Sequence, residues 1–197
     1  MLTGDMLRRS AQRFPEKAAI IYRGPDRRAC VSYRELDESA NRLARALLAL
    51  GLDKGSRVAM LSRNLPEYGS VFFGVARTGY VLNNVSVLYA PEELGWVLNK
   101  SETQVLIFDA QFADKVADVQ KECPQIRHFI SVGEQHAVEN AVTFSGFIEG
   151  HEGTCADVQL DDRDAFCMTY TGGTTGRPKG VMMNHRARDI TAHTAAL

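Results

Sequence analysis

At 197 residues the chain has the length of one large domain or two small ones, and 45% apolar with 24% charged residues is an ordinary globular composition. A formal net charge of −1 supplies no field that would draw it to nucleic acid or an anionic membrane. No apolar run is long enough to span a bilayer, and the early arginines (Arg8, Arg9, Arg13) are interleaved with Asp5 and Glu16, unlike an acid-poor targeting peptide. Cys30, Cys123, Cys155 and Cys167 form no CxxC pair, and the five histidines lack metal-ligand spacing. A cytoplasmic protein with reduced thiols and no metal centre in this chain is therefore expected.

In chain order, "TGDMLRRSAQRF" predicts a short helix, with Thr3 or Asp5 as its cap and Leu7, Ala11 and Phe14 on one face. "AAIIYR" and "ACVSY", parted by the turn signal "GPDRR", predict a β-hairpin. Ser32 and Glu35 then stand at capping-box spacing, Leu36, Ala40, Leu43, Leu47 and Leu50 repeat at helical spacing, and Gly51 marks the end. "SRVAMLS" predicts a strand buried on both faces. A helix capped by Asn64, with Pro66 in its first turn, follows and runs to Gly79.

"YVLNNVSV", "TQVLIFD" and "HFISVG" predict further strands, separated by helices over "PEELGWVLNKS" and "ADKVADVQKE". From Tyr33 onward the alternation predicts an α/β fold, a mostly parallel sheet with helices on both faces. Residues 134–163 are polar and less periodic, with one short helix at "TFSGFIEG". The acids Asp157, Asp161, Asp162 and Asp164 there read as a solvated connection, since their spacing fixes no coordination geometry. The expected division is 1–160 for a first α/β subdomain and 161–197 for the start of a second, whose sheet begins at "AFCMTY".

That strand runs into "TYTGGTTGRPKGVM", residues 169–182. Glycines admit positive φ and remove the Cβ atoms that hold a ligand off, and successive N–H groups in such a turn form an anion-binding concavity. Thr171, Thr174 and Thr175 add hydroxyl donors and Lys179 adds a full charge, a set suited to the many acceptor oxygens of phosphate. A P-loop needs Gly-Lys-Ser/Thr followed by a helix. Here Pro178 precedes Lys179, Gly180 follows it, and "VMM" reads as a strand, so the loop is expected to join two strands.

"YTGGTTGRPKGVM" resembles the signature loop of the AMP-forming adenylating enzymes: acyl-CoA synthetases, nonribosomal adenylation domains and luciferases. Gly172 stands where that family more often has serine. Upstream, "VSYRELDESANRLARALLALGLDKGSRVAMLSRN" and "FFGVARTGYVLNNVSVLYAPEELGWVLNKSETQVLIF" are similar to the family's preceding blocks, so the resemblance covers almost the whole chain. In the second block Tyr80 replaces an alanine, Asn84 and Val87 replace two prolines, Ser86 replaces an asparagine, and Ala90 replaces the usual Ser/Thr cap before "PEEL".

The resemblance implies a ligase of the acyl-CoA branch. A carboxylic acid attacks the α-phosphate of ATP, pyrophosphate leaves, and coenzyme A takes the acyl group. It implies that Thr171, Thr174, Thr175 and Lys179 contact the phosphates, Lys179 in a catalytic role, while Gly172, Gly173 and Gly176 shape the loop. It also implies that the adenine-stacking aromatic, the glutamate for Mg2+, the ribose-binding aspartate, the adenylate-contacting lysine and most of the acid pocket lie beyond Leu197. An N-terminal portion inactive by itself is then expected, with self-association through the uncovered edge of its truncated sheet. The alternative is a non-catalytic module that keeps a nucleotide or partner grip.

Overall fold

A computed structural model describes residues 1–25, 27–135, 137–171 and 178–194 of the chain. Helix α1 (Thr3–Arg13) has Leu2 at its N-cap, with no side-chain cap bond, so neither Thr3 nor Asp5 caps it. Thr3 falls inside the first turn instead, buried against a partner from the far end of the chain. Leu7 is buried as expected; Phe14 is exposed, beneath the Arg13 guanidinium. Strands β1 (Ala18–Arg23) and β2 (Arg28–Ser32) pair antiparallel as the predicted hairpin, a separate two-stranded sheet.

Helix α2 (Tyr33–Leu48) begins with the predicted capping box. Ser32 Oγ accepts from the Glu35 N–H at 3.2 Å, and Glu35 Oε2 accepts from the Ser32 N–H at 2.8 Å, which satisfies two donors that a helix start leaves free. Leu36, Ala40, Leu43 and Leu47 are buried, and Gly51 takes a φ of +66° beyond the last turn. Strand β3 (Arg57–Leu61) follows, then α3 (Pro66–Val75), whose N-cap is Leu65 rather than Asn64. Gly74 of α3 meets α2 so closely that a Cβ there would lie 3.0 Å from the Ala40 carbonyl oxygen.

The alternation continues with β4 (Val81–Asn84), α4 (Pro91–Lys100), β5 (Thr103–Asp109), α5 (Ala113–Gln120), β6 (His128–Val132), the two-residue β7 (Val142–Thr143) and α6 (Phe144–Ile148). Successive residues of a strand point to opposite faces, and β3 shows the result. Val58 and Met60 pack with Leu43, Leu47, Val71 and Val75 of α2 and α3, whereas Ala59 and Leu61 pack with Leu94, Leu98 and Val116 of α4 and α5. Helices thus cover both faces, and the strands read as continuous apolar runs because both of their sides are buried.

The chain ends with β8 (Ala165–Thr171), β9 (Lys179–Asn184) and α7 (His185–Thr194). Here the sequence expectation is corrected: β8 does not open a second sheet. It lies parallel to β4 with Leu82 opposite Cys167 and Asn84 opposite Thr169, and β9 pairs antiparallel with β8. One seven-stranded, mostly parallel sheet results, in the order β7-β6-β5-β3-β4-β8-β9. The cause lies in the core. Phe166 is fully buried in the α2/α3 layer, edge-on to Phe72 at 5.0 Å, and β4 has a ladder edge that needs a partner.

Candidate functional site

Helix α3, after β3, packs on one face of the sheet, and α4, after β4, packs on the other. The chain leaves β3 over the α3 face and its sheet neighbour β5 over the opposite face, which α5 shares with α4, so the winding direction reverses between β3 and β5. Open α/β sheets bind ligands outside the carboxyl ends of their strands at such a point. β8 lies beside β4, so its carboxyl end, Thr171, opens onto the same rim.

The hairpin from β8 to β9 brings Thr171 and Lys179 directly opposite each other, as the last cross-strand pair. Thr171 Oγ1 donates to the Lys179 carbonyl at 3.4 Å, and both residues are exposed. Two of the sequence-predicted site residues are therefore brought together at the mouth of the loop. Gly172, Gly173, Thr174, Thr175 and Gly176 lie outside the described residues. As expected, the loop joins two strands: β9 runs from Lys179 to Asn184 before α7 begins. Strand β9, and not a helix N-terminus, directly follows the loop.

Behind Lys179 lies a groove of about 420 Å³, lined by Trp96, Lys100, Met168, Tyr170, Pro178 and Gly180 together with Lys179. Trp96 and Tyr170 meet edge to face with centroids 6.1 Å apart. Gly180 sits opposite Tyr170, and a Cβ there would come within 3.1 Å of the tyrosine ring, so the glycine makes room for the aromatic on the strand. Burial pushes the Tyr170 hydroxyl above its ordinary value; Arg57 pulls it down and Tyr89 adds to the rise. Trp96 and Lys100 escaped the sequence analysis. Their four-residue spacing on α4 was the available signal, since it puts both on one helix face.

On the same rim, the Tyr68 hydroxyl donates to Asn84 Oδ1 at 2.5 Å, joining α3 to the end of β4. Burial raises Tyr68 above its ordinary value, Cys167 adds to the rise, and Arg188 opposes it. The loop after β4 is held by Lys115, whose ammonium donates to the carbonyls of Val87 at 2.9 Å and Tyr89 at 2.7 Å.

His185 does not face solvent. It opens α7, is 1% exposed and stacks on Phe166. Among the described residues no group of three His, Cys, Asp or Glu side chains is placed to hold a metal ion. The Asp161–Asp164 run is a turn: Asp164 Oδ2 accepts from the Asp161 N–H at 2.8 Å and pairs with Lys54 at 2.6 Å. All four cysteines are free, Cys30 and Cys155 exposed and Cys123 and Cys167 buried; burial, aided by Glu122, pushes Cys123 up to about 11. No helix among the described residues is long and apolar enough to cross a membrane.

The β8–β9 hairpin thus stands at the carboxyl rim of a two-sided α/β sheet. Residues 7–196 match the family model described as AMP-binding enzyme, and the chain belongs to that family. It is 34% identical over 196 residues to a long-chain-fatty-acid–CoA ligase of Thermus thermophilus, covering 98% of this chain and 35% of that one. It is 34% identical over 157 residues to a 3-hydroxybenzoate–CoA/4-hydroxybenzoate–CoA ligase of Thauera aromatica, covering 80% of this chain and 30% of the other. The crystal structure of the anthranilate CoA ligase AuaEII with anthranoyl-AMP superposes with a TM-score of 0.89 at 27% identity, covering 98% of this chain and 36% of that one. The chain thus spans about a third of the length of these relatives.

Proposed function

We propose that this chain forms the ATP-phosphate grip of an acid:CoA ligase (AMP-forming). The observation that carries the reading is the pairing of Thr171 with Lys179 at the mouth of the hairpin loop, on the carboxyl rim of the sheet in a chain of the AMP-binding family. In the reaction a carboxylate oxygen bonds to the α-phosphorus of ATP, the α–β bond breaks, and pyrophosphate leaves with the electron pair. The thiol of coenzyme A then attacks the acyl carbon and AMP departs.

Lys179 and Thr171, with the loop hydroxyls of Thr174 and Thr175 and the amides of Gly172, Gly173 and Gly176, would hold the β- and γ-phosphates. Their work is positioning and compensation of the charge that grows on pyrophosphate. Mg2+ and coenzyme A, which the reading implies, are assigned no residue of this chain. The acid is of the fatty or aryl class, as in the names of the relatives. A second reading is a nucleotide- or partner-binding module without turnover. Both readings share the grip and differ in catalysis.

Titration of the chain with ATP and with inorganic pyrophosphate tests the grip. Lys179→Ala is expected to weaken binding by about tenfold or more, the worth of one charge-assisted hydrogen bond. Undiminished binding in that variant removes Lys179 from the site. ATP–pyrophosphate exchange separates the readings: the 197-residue chain is expected to show none, and Lys179→Ala to slow it in any longer form that does.

A further inference from the structure

Thr3 and His185, near opposite ends of the described chain, meet at one atom. The Thr3 N–H donates to His185 Nδ1 at 3.2 Å, and Thr3 Oγ1 lies 3.1 Å from the same nitrogen. A backbone N–H can only donate, so Nδ1 is an unprotonated acceptor and the neutral ring carries its proton on Nε2. The imidazole stacks on Phe166 with centroids 5.2 Å apart and planes 23° apart. Next to it, the His185 N–H donates to the Asp164 carbonyl at 3.3 Å and the Arg186 N–H to the Asp162 carbonyl at 2.8 Å. The His185 side chain thus joins the first turn of α1 to Phe166 of β8, while main-chain bonds tie the start of α7 to the turn before β8.

The clamp stands at the foot of the hairpin whose other end carries the loop. Among the described residues β9 is an edge strand, bonded to β8 alone, and it leads from Lys179 straight into His185. β8 carries Phe166 under the ring near its start and Thr171 at its end. The placement of Lys179 against Thr171 therefore depends on the ladder and on what fixes its base. We propose that His185 is a positioning residue for the Thr171–Lys179 loop, fastening the hairpin to α1 through a neutral Nδ1, and that protonating this ring unfastens it. The effect on ligand binding rests on the phosphate-grip reading; the clamp itself does not.

An imidazolium would turn an N–H toward the N–H of Thr3 and break the bond. The charged groups around the ring are Asp164 and Asp162 from the turn before β8, Asp5 from α1 and the Met1 ammonium, with Lys54 paired to Asp164. Burial is the largest influence and pushes the imidazole below its ordinary value; Asp164, Asp5 and Asp162 pull it up, and the ammonium reinforces the fall. The clamp is therefore fully present above the unfolded histidine value of about 6.5 and is lost as pH falls through the lower folded value.

The test is amide hydrogen exchange on the 197-residue chain, corrected for intrinsic rates, in wild type, His185→Phe, His185→Asn and Thr3→Pro. In wild type, α1 and the β9–α7 segment are expected to lose protection together, by about tenfold or more, between about pH 7.5 and about pH 5, while β5 stays protected. His185→Phe keeps a stacking ring without the acceptor. Thr3→Pro deletes the donor at a first-turn position that accepts proline. Both variants are expected to show low protection in the two segments at neutral pH and no shared acid step. His185→Asn, whose side-chain oxygen can accept, is expected to recover neutral protection without the acid step.

Inorganic pyrophosphate binding at neutral pH should weaken in His185→Phe and return in His185→Asn. Full neutral protection in both His185→Phe and Thr3→Pro, or a loss confined to one of the two segments, overturns the clamp. Absence of pyrophosphate binding in wild type counts against the phosphate reading alone, since the exchange data still decide the clamp.

Discussion

Arg77, just past the end of α3, reaches Asp37 of α2 with Nη2 to Oδ1 at 2.6 Å while remaining 6% exposed. The same guanidinium donates to Asn41 Oδ1 at 2.5 Å, to the Asp37 carbonyl at 3.2 Å and to the Gly4 carbonyl at 3.1 Å. Gly4 is needed for this approach, because a Cβ there would sit 2.8 Å from Arg77 Cγ. One buried cation therefore joins α1, α2 and α3. Arg77→Ala strands Asp37 and Asn41 and is expected to cost about 3–5 kcal/mol in urea unfolding. Arg77→Lys, lacking the planar fork, should fall between the two. A loss no larger than that of an ordinary surface substitution would show the junction to be dispensable.

Helix α4 starts with half a capping box. Glu93 Oε2 accepts from the Ala90 N–H at 3.1 Å, but alanine has no side-chain acceptor to return the bond. Ala90→Ser supplies that acceptor for the Glu93 N–H. It is expected to raise stability by about 1 kcal/mol, read as a higher midpoint at an unchanged denaturant slope.

The complete box at α2 predicts a pH dependence. Hydrogen bonds from the Ser32 N–H and then from the Ser32 hydroxyl hold the Glu35 carboxyl below the ordinary glutamate value. A carboxylate with a depressed folded value stabilises fully above its unfolded pKa, and that contribution disappears as pH falls through the folded one. Between neutral and acid pH, Ser32→Ala should therefore lose less stability than wild type. Parallel acid curves for the two proteins would mean that the box does not couple to Glu35 ionisation.

Val181 and Met182 of β9 are each 53% exposed, and Ile190 of α7 is 58% exposed. Among the described residues no strand lies outside β9. An edge that offers apolar side chains and free ladder groups pairs readily with another chain. Sedimentation velocity is expected to show concentration-dependent association of the 197-residue chain, reduced in Met182→Lys. A single monomeric boundary at every concentration would count against this.

The α/β alternation, the capping box at Ser32 and the two-strand setting of the Lys179 loop were legible because each depends on local spacing. What escaped depends on contacts far apart in sequence. Asn64 has the right chemistry for a cap, but Pro66 sets the first turn and puts Leu65 at the boundary. Nothing within "AFCMTY" says which ladder it will join; that was decided by the open edge of β4 and by room for Phe166 between α2 and α3. The burial of His185 was not legible because its partner, Thr3, lies at the other end of the chain. At the site itself, Thr171 and Lys179 were visible in the motif, while Trp96 and Lys100 arrive through α4.

The ladder from Leu82–Asn84 to Cys167–Thr169 also sets an order of assembly. β3, α3 and β4 are neighbours along the chain and can condense early, whereas β8 reaches its slot only after α4, β5, α5 and β6 have been made. Closing so long a stretch is slow compared with local pairing. During synthesis β4 therefore waits with one flank bare until β8 and β9 are made.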